Sequence, residues 1–219
     1  METLVPVLAT VIAVPGGWFA GSLQHRLYRE TEFRSAPASG RAAWLIRGGL
    51  AFACAVVVAI AFRPGHYDFG PALLTALFGV SLCVMASTDF ERRRITNTLS
   101  YPALLAALAL SWAWPDRSVA DILYGGGFAV GLGAVVFGLG VLVGGPIGGL
   151  GIGDIKLIIL IGVLLGWPVA MYGLFIGMLA AGVPSVILLA QGKRKAHFSY
   201  GPYLALGAII GLLWPERFM

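Results

Sequence analysis

The chain has 219 residues, of which 58% are hydrophobic and only 11% are charged, and its mean hydropathy is +0.87. A soluble domain carries roughly 25% charged residues, so this composition excludes an ordinary water-soluble fold and predicts an all-α, polytopic membrane protein. The net charge of +5 is explained by the excess of Lys and Arg in cytoplasmic loops, and it does not indicate nucleic-acid binding.

Apolar segments follow one another along the whole chain. They lie roughly at 3–23, 44–62, 70–88, 98–114, 119–143, 155–167, 169–190 and 200–214. Because a helix needs about 20 apolar residues to cross the hydrocarbon core, we predict a transmembrane bundle of about eight spans. We divide it into an N-terminal two-span region, 1–69, with a short cytoplasmic loop, and a six-span core, 70–219.

Three Trp–Pro pairs end predicted segments, at 114–115, 167–168 and 214–215. Tryptophan is enriched at membrane interfaces and proline ends helices, so we interpret the pairs as interfacial anchors.

The positive residues divide unequally between the two sides of such a bundle. The side that holds the loops 24–47, 90–97, 144–156 and 191–199 collects twelve of the fifteen Lys and Arg residues. The other side has only Arg63, Arg117 and Arg217. The positive-inside rule assigns the first side to the cytoplasm and, with an even number of spans, places both termini outside.

Two carboxylates stand out among the ten in the chain. Once those near the outer face and in the first loop are set aside, Asp89, Glu91 and Asp154 remain, and only Asp89 and Asp154 lie flush with apolar segments. Two carboxylates in one low-dielectric site share a proton, so one can activate water while the other polarises a carbonyl. This pattern is typical of aspartyl proteolysis, and both residues fall on the predicted cytoplasmic side.

Structural roles for the same residues remain open at this point. Asp89 is also explained as a helix cap or as a partner of the basic run Arg92–Arg94, and Asp154 as a cap of the sixth segment. A cap does not require the four glycines at 148, 149, 151 and 153. Lys156 is explained as a positive charge that neutralises a nearby carboxylate or a lipid headgroup.

Four stretches resemble one known family. Gly151-Ile-Gly-Asp-Ile-Lys-Leu157 resembles the Gly-x-Gly-Asp-x-Lys-Leu signature of type IV prepilin peptidases, which are intramembrane aspartyl proteases of the GxGD type. The stretch from Asp89 to Pro102 is similar to the second aspartate block of this family. Tyr200–Ala208 is similar to its Phe-Gly-Pro-Phe-Leu-Ala-x-Gly stretch, and Gly21-Ser22 with Arg26-Leu27 to the end of its first span.

The resemblance implies a function and a set of site residues. It implies an endopeptidase that removes a short basic leader from type IV prepilins, or from the pseudopilins of type II secretion, at the cytoplasmic surface of a prokaryotic inner membrane. Asp89 and Asp154 would be the catalytic pair. The candidates for substrate binding or loop mobility are Gly151, Gly153, Lys156, Arg92, Arg93, Arg94 and Asn97. The expected partners are pilin precursor helices and membrane lipids.

The chain also departs from the family. Thr96 stands where proline is usual, and Leu150 where methionine is frequent. Bifunctional members carry Cys-x-x-Cys pairs that bind zinc in a long first loop, and they methylate the new N-terminus with S-adenosylmethionine. The loop at 24–43 has no cysteine, so we expect no metal site, and S-adenosylmethionine is a cofactor only if the methyltransferase activity is retained.

Two other classes of function compete with this interpretation. A small transporter or channel could use Asp89 and Asp154 as proton or cation sites, although transporters often show inverted repeats and the aspartates here lie at the interface rather than the midplane. A non-catalytic partner in pilus assembly is the other alternative, since a fold does not prove an activity.

Overall fold

The computed structural model describes residues 7, 10–19, 40–144, 151–191 and 199–218, and eight helices lie within these ranges. They are α1 Thr10–Phe19, α2 Gly40–Ala61, α3 Phe69–Arg92, α4 Asn97–Leu110, α5 Val119–Gly144, α6 Ile152–Leu165, α7 Val169–Ala190 and α8 Gly201–Leu213. Short 3₁₀ turns follow α4 and α8, at Ser111–Ala113 and Pro215–Arg217. The prediction of an all-α membrane bundle is confirmed.

The helices fall into a long and a short group. α2, α3, α5 and α7 are long and apolar enough to cross a membrane. α4 and α6 have 14 residues each, and α8 has 13. Each predicted segment therefore contains a helix, but the short ones do not reach the length of about 20 residues that a single span needs.

Helix α6 lies at the centre of the bundle. It packs against α4, α5, α7 and α8, and Leu157, Ile158 and the run Leu160–Leu165 are buried. A helix that is apolar on all sides and enclosed by other helices is a core helix rather than a lipid-facing one. This environment encloses α6 from Leu157 onwards, whereas Ile152 at its start is exposed.

Small residues allow two helix pairs to approach closely. A Cβ atom on Gly162 of α6 would lie 2.5 Å from the carbonyl oxygen of Gly125 in α5, and one on Gly207 of α8 would lie 2.1 Å from that of Gly173 in α7. Close packing of this kind is the usual way in which helices associate in lipid, where the hydrophobic effect gives them no preference for each other.

Trp114 is not the interfacial anchor that its position before Pro115 predicts. Its side chain is 1% exposed, and its indole nitrogen donates to Thr75 Oγ1 of α3 at 2.9 Å. The interpretation was wrong for this residue because the 3₁₀ turn after α4 directs the ring into the bundle. Trp167, at 39% exposure, is more consistent with an interfacial position.

The ends of the helices form two separate polar clusters. At one end Arg63 pairs with Glu216 at 2.9 Å, and Tyr67 donates to Asp116. The other end brings together the end of α3 and the starts of α4, α6 and α8. Within the described residues, the two ends of α3, of α4 and of α8 therefore lie in different clusters, which agrees with the predicted alternation of loops. The division of the chain at residue 69 falls at the turn before α3 and stays a prediction.

Candidate active site

Asp89 lies in the last turn of α3 and is 5% exposed. The helix ends there because Arg93 adopts a left-handed backbone conformation, with φ at 54°, and its N–H donates to the Asp89 carbonyl at 2.7 Å. A carboxylate at a helix C-terminus faces the negative end of the helix dipole, and burial adds a desolvation cost. Other elements must therefore supply its stabilisation.

Ser199 and Gly201 provide that stabilisation from the start of α8. The Gly201 N–H donates to Asp89 Oδ2 at 3.0 Å. The Ser199 hydroxyl lies within reach of the same oxygen and of the Asp89 carbonyl, the latter at 3.1 Å. A Cβ on Gly201 would lie 2.5 Å from Oδ2, so only glycine admits the carboxylate here.

These two residues were absent from the candidates chosen by sequence. Ser199 is separated from Asp89 by 110 positions, and it follows a basic loop whose composition gives no sign of a site. The available signal was the Tyr200–Ala208 stretch, which begins directly after Ser199 and contains Gly201. It supported only the family resemblance.

Asp154 lies in the first turn of α6, before the apolar part of that helix. Its Oδ2 accepts a hydrogen bond from the backbone N–H of Gly151 at 3.1 Å. The carboxylate therefore does cap the helix, which is the structural role that the sequence left open for it. Burial, and then the negative charge of Asp89, raise the pKa of Asp154 to about 6. The cap therefore also faces the second carboxylate.

A single cavity of about 630 Å³ joins the two aspartates. Its lining comes from the end of α3, the α3–α4 connection and the start of α6. It consists of Asp89, Arg93, Arg94, Ile95, Thr96, Asn97, Thr98, Gly151, Ile152, Gly153, Asp154 and Lys156. A volume of this size accommodates a short peptide segment or a small ligand. Asp89 and Asp154 thus line one cavity, and their role as a catalytic pair stays a prediction.

The basic run after Asp89 divides between two environments. Arg93 and Arg94 are exposed and line the cavity. Arg92 is the last residue of α3, is half-buried, and does not belong to the lining residues of this cavity. Of the three, the structure therefore brings Arg93 and Arg94 to the carboxylates.

Lys156 links the starts of α6 and α4 instead of pairing with a carboxylate. Its Nζ donates to Asn97 Oδ1 at 2.7 Å and lies 4.5 Å from the centre of the Tyr101 ring. Gly153, one turn earlier, packs against Ile95, and a Cβ there would lie 3.4 Å from the Ile95 side chain. These contacts join both predicted candidates, Lys156 and Asn97, at the cavity wall.

Part of the predicted site lies outside the described residues. This applies to Gly148 and Gly149 of the glycine-rich loop, and to most of the loop at 24–43 that lacks cysteine. Among the residues that the structure does describe, no group of three or more His, Cys, Asp and Glu side chains is placed to hold a metal ion.

Comparison with known proteins gives two matches. The model of the type IV leader peptidase family matches residues 76–186, a range that includes both aspartates. The prepilin leader peptidase/N-methyltransferase of Pseudomonas aeruginosa is 29% identical over 157 residues, which cover 69% of this chain and 53% of that protein. The chain therefore spans about half the length of this curated relative. No solved structure matches the chain.

Proposed function

The chain belongs to the type IV leader peptidase family, and we propose that it is a multi-pass membrane endopeptidase that uses Asp89 and Asp154 as an aspartyl pair. The observation that carries the proposal is the shared cavity. Two carboxylates from different helices line it. Burial, and then the charge of Asp89, raise the pKa of Asp154 to about 6. Such a pair holds one proton up to about pH 6, well above the pKa of a free aspartate.

A pair that holds one proton supplies the acid and the base that peptide hydrolysis needs. The ionised carboxylate takes a proton from a water molecule while the water oxygen attacks the scissile carbonyl carbon. The protonated carboxylate donates to the carbonyl oxygen, and a proton then passes to the leaving amine. None of these reaction steps requires a metal, so we propose that the peptidase reaction uses the two aspartates and water alone.

The proposed substrates are prepilins or pseudopilins, as the resemblance implies. The relative from Pseudomonas aeruginosa is named a prepilin leader peptidase, and the cavity lies at the end of the bundle where an inserted apolar helix would emerge. With twelve of fifteen positive residues on this side, the positive-inside rule supports a cytoplasmic site in the inner membrane. The leader would remain in the cytoplasm while the apolar helix lies among the spans.

Replacement of either aspartate tests the proposal directly. Asp89→Asn and Asp154→Asn should each lower prepilin cleavage by at least about 10³-fold, because an amide can neither accept nor donate the required proton. Purified protein in detergent is incubated with a prepilin, and loss of the leader is followed by gel shift and N-terminal mass.

Asp68→Asn is the matched control, since Asp68 begins the same helix at its other end, is exposed and makes no side-chain cap. It should cleave at the rate of the unaltered protein. Cleavage by Asp89→Asn or Asp154→Asn at that same rate would refute the aspartyl mechanism and favour a transport or assembly role.

The same assay tests the cofactors. EDTA should leave cleavage unchanged, whereas a loss reversed by zinc would contradict the metal-free mechanism. S-adenosylmethionine should not change the mass of the mature product. An increase by one methyl group would show that the activity named for the relative is also present in this chain.

A further inference from the structure

Ser199 and the start of α8 distinguish the two aspartates from each other. Asp89 Oδ2 receives the Gly201 N–H and lies within reach of the Ser199 hydroxyl. Asp154 Oδ2 receives the Gly151 N–H, which is the bond of its own helix cap. Hydrogen bonds from donors favour the charged form of a carboxylate, so the two sites favour the charge to different degrees.

The charged groups around the pair act in the same direction. Arg93 and Arg94 line the cavity that both aspartates share, and the charge of Arg93 acts on Asp89. Lys156, on α6, is turned towards Asn97 and does not neutralise Asp154 directly. The N-terminus of α8 also presents the positive end of its dipole to Asp89, and this offsets the negative end of α3.

The Ser199 hydroxyl has one hydrogen and two acceptors close by, Asp89 Oδ2 and the Asp89 carbonyl. When Asp89 is ionised, the carboxylate is the stronger acceptor and takes the hydrogen. When Asp89 is protonated, the hydroxyl can donate to the Asp89 carbonyl oxygen instead. The hydroxyl therefore has an acceptor in both protonation states of Asp89.

We infer that Ser199 is a positioning residue that, together with the Gly201 N–H, makes Asp89 the ionised base of the pair and leaves Asp154 as the acid. In this arrangement Oδ2 of Asp89 is fixed by the two donors, and Oδ1 takes the proton from water. The inference rests on the proposed aspartyl function and assigns the roles within it.

The pH profile of cleavage tests the role of Ser199. An aspartyl pair is active between the pH at which the base loses its proton and the pH at which the acid loses its own. Ser199→Ala removes a donor from ionised Asp89 and should raise the pKa of the base. The acid limb of kcat/KM should therefore move up by about one pH unit, the shift expected from losing one charge-assisted hydrogen bond. The alkaline limb should stay in place.

Ser199→Thr keeps the hydroxyl, so its acid limb should lie at the same pH as that of the unaltered protein. Should Ser199→Ala fail to accumulate as folded protein, Ser199→Cys retains the size of the side chain with a weaker donor and should give a smaller shift in the same direction. Melting temperature and gel-filtration profile in detergent are measured for every variant. A serine that only supports folding would lower the yield or kcat and leave the acid limb unmoved.

The outcomes separate the inference from the function on which it rests. If Asp89→Asn is inactive and the acid limb of Ser199→Ala is unchanged, the positioning role is wrong and the aspartyl mechanism stands. If Asp89→Asn cleaves normally, the proposed function fails and the positioning role fails with it. A shift of the acid limb that occurs in Ser199→Ala and is absent in Ser199→Thr supports both the positioning role and the aspartyl mechanism.

Discussion

Asp89 and Asp154 are chemically identical side chains in different surroundings. Asp89 is almost fully buried and has donors from α8, whereas Asp154 is half-buried and caps its own helix. Because environment decides the protonation state of a carboxylate, two such residues can take the separate roles of acid and base. The proposed division into base and acid thus depends on single hydrogen bonds.

The raised pKa of Asp154 predicts an alkaline limb of activity. Asp154 holds its proton below a pKa of about 6 and loses it as the pH rises through that value, because burial and the charge of Asp89 penalise the ionised form. As the acid of the pair it is active only when protonated. We expect kcat/KM, which reports the free enzyme, to fall as the pH increases above about 6.

The alkaline limb of the kcat profile should lie at higher pH than the alkaline limb of the kcat/KM profile. A bound substrate displaces water from the cavity, and the added desolvation raises the pKa of Asp154 further. Steady-state cleavage rates in detergent between about pH 5 and 8 measure both limbs. A rate constant kcat/KM that stays level across this range would contradict the assignment of Asp154 as the acid.

At the residue scale, the sequence was sufficient to select Asp89 and Asp154 as candidates but not to find the residues that donate hydrogen bonds to Asp89. The two aspartates could be selected because a charge at the edge of an apolar segment is costly and rarely incidental. Ser199 carries no such cost, since a serine is unremarkable in a polar loop. Its role depends on a contact across 110 positions, which only the packing of α8 against α3 creates.

At the element scale, hydropathy predicted where the helices lie but not which of them face lipid. The predicted segments 98–114 and 155–167 correspond to α4, Asn97–Leu110, and α6, Ile152–Leu165. Both are shorter than a span, and α6 is surrounded by protein. A helix buried in a bundle and a helix exposed to lipid have the same apolar composition, so the pattern cannot distinguish them. Trp114 was misassigned because its position before Pro115 gives no sign of the 3₁₀ turn that directs its ring into the bundle.

The contact between α5 and α6 predicts a sensitive glycine. In Gly162→Ala the new methyl group would lie 2.3 Å from the Ala129 side chain and 2.5 Å from the Gly125 carbonyl oxygen. The backbone oxygen cannot move aside, so the helices must separate at a cost of about 1–3 kcal/mol in the free energy of unfolding. A lower melting temperature in detergent is the measurement, with a parallel loss of cleavage because α6 carries Asp154.

Gly131→Ala on α5 is the control, since a Cβ there has no atom within 4 Å. It should leave the melting temperature unchanged or raise it slightly, because alanine favours a helix over glycine. Equal melting temperatures for Gly162→Ala and Gly131→Ala would show that the two helices do not pack as closely as described.

At the scale of the whole molecule, the described helix ends come together in two polar clusters, as an alternating chain predicts. One end joins Arg63 to Glu216, and the other joins Asp89 to Ser199 and the start of α8. Counting apolar segments predicts this arrangement, because the connection between two neighbouring antiparallel helices reverses the direction of the chain. Which end faces the cytoplasm is a separate question, because it depends on the membrane and on the positive residues rather than on packing.

Single cysteines at the two ends test this orientation. Thr98→Cys would place a thiol at the exposed wall of the cavity, and Asp68→Cys would place one at the opposite end, where Asp68 is also exposed. Cys54 and Cys83 are buried, so the unaltered chain serves as the background control. If the twelve positive residues face the cytoplasm, a membrane-impermeant maleimide should label Thr98→Cys only in inverted vesicles and Asp68→Cys only in spheroplasts. The reverse pattern would place the aspartates on the outer face, where a leader retained in the cytoplasm could not reach them.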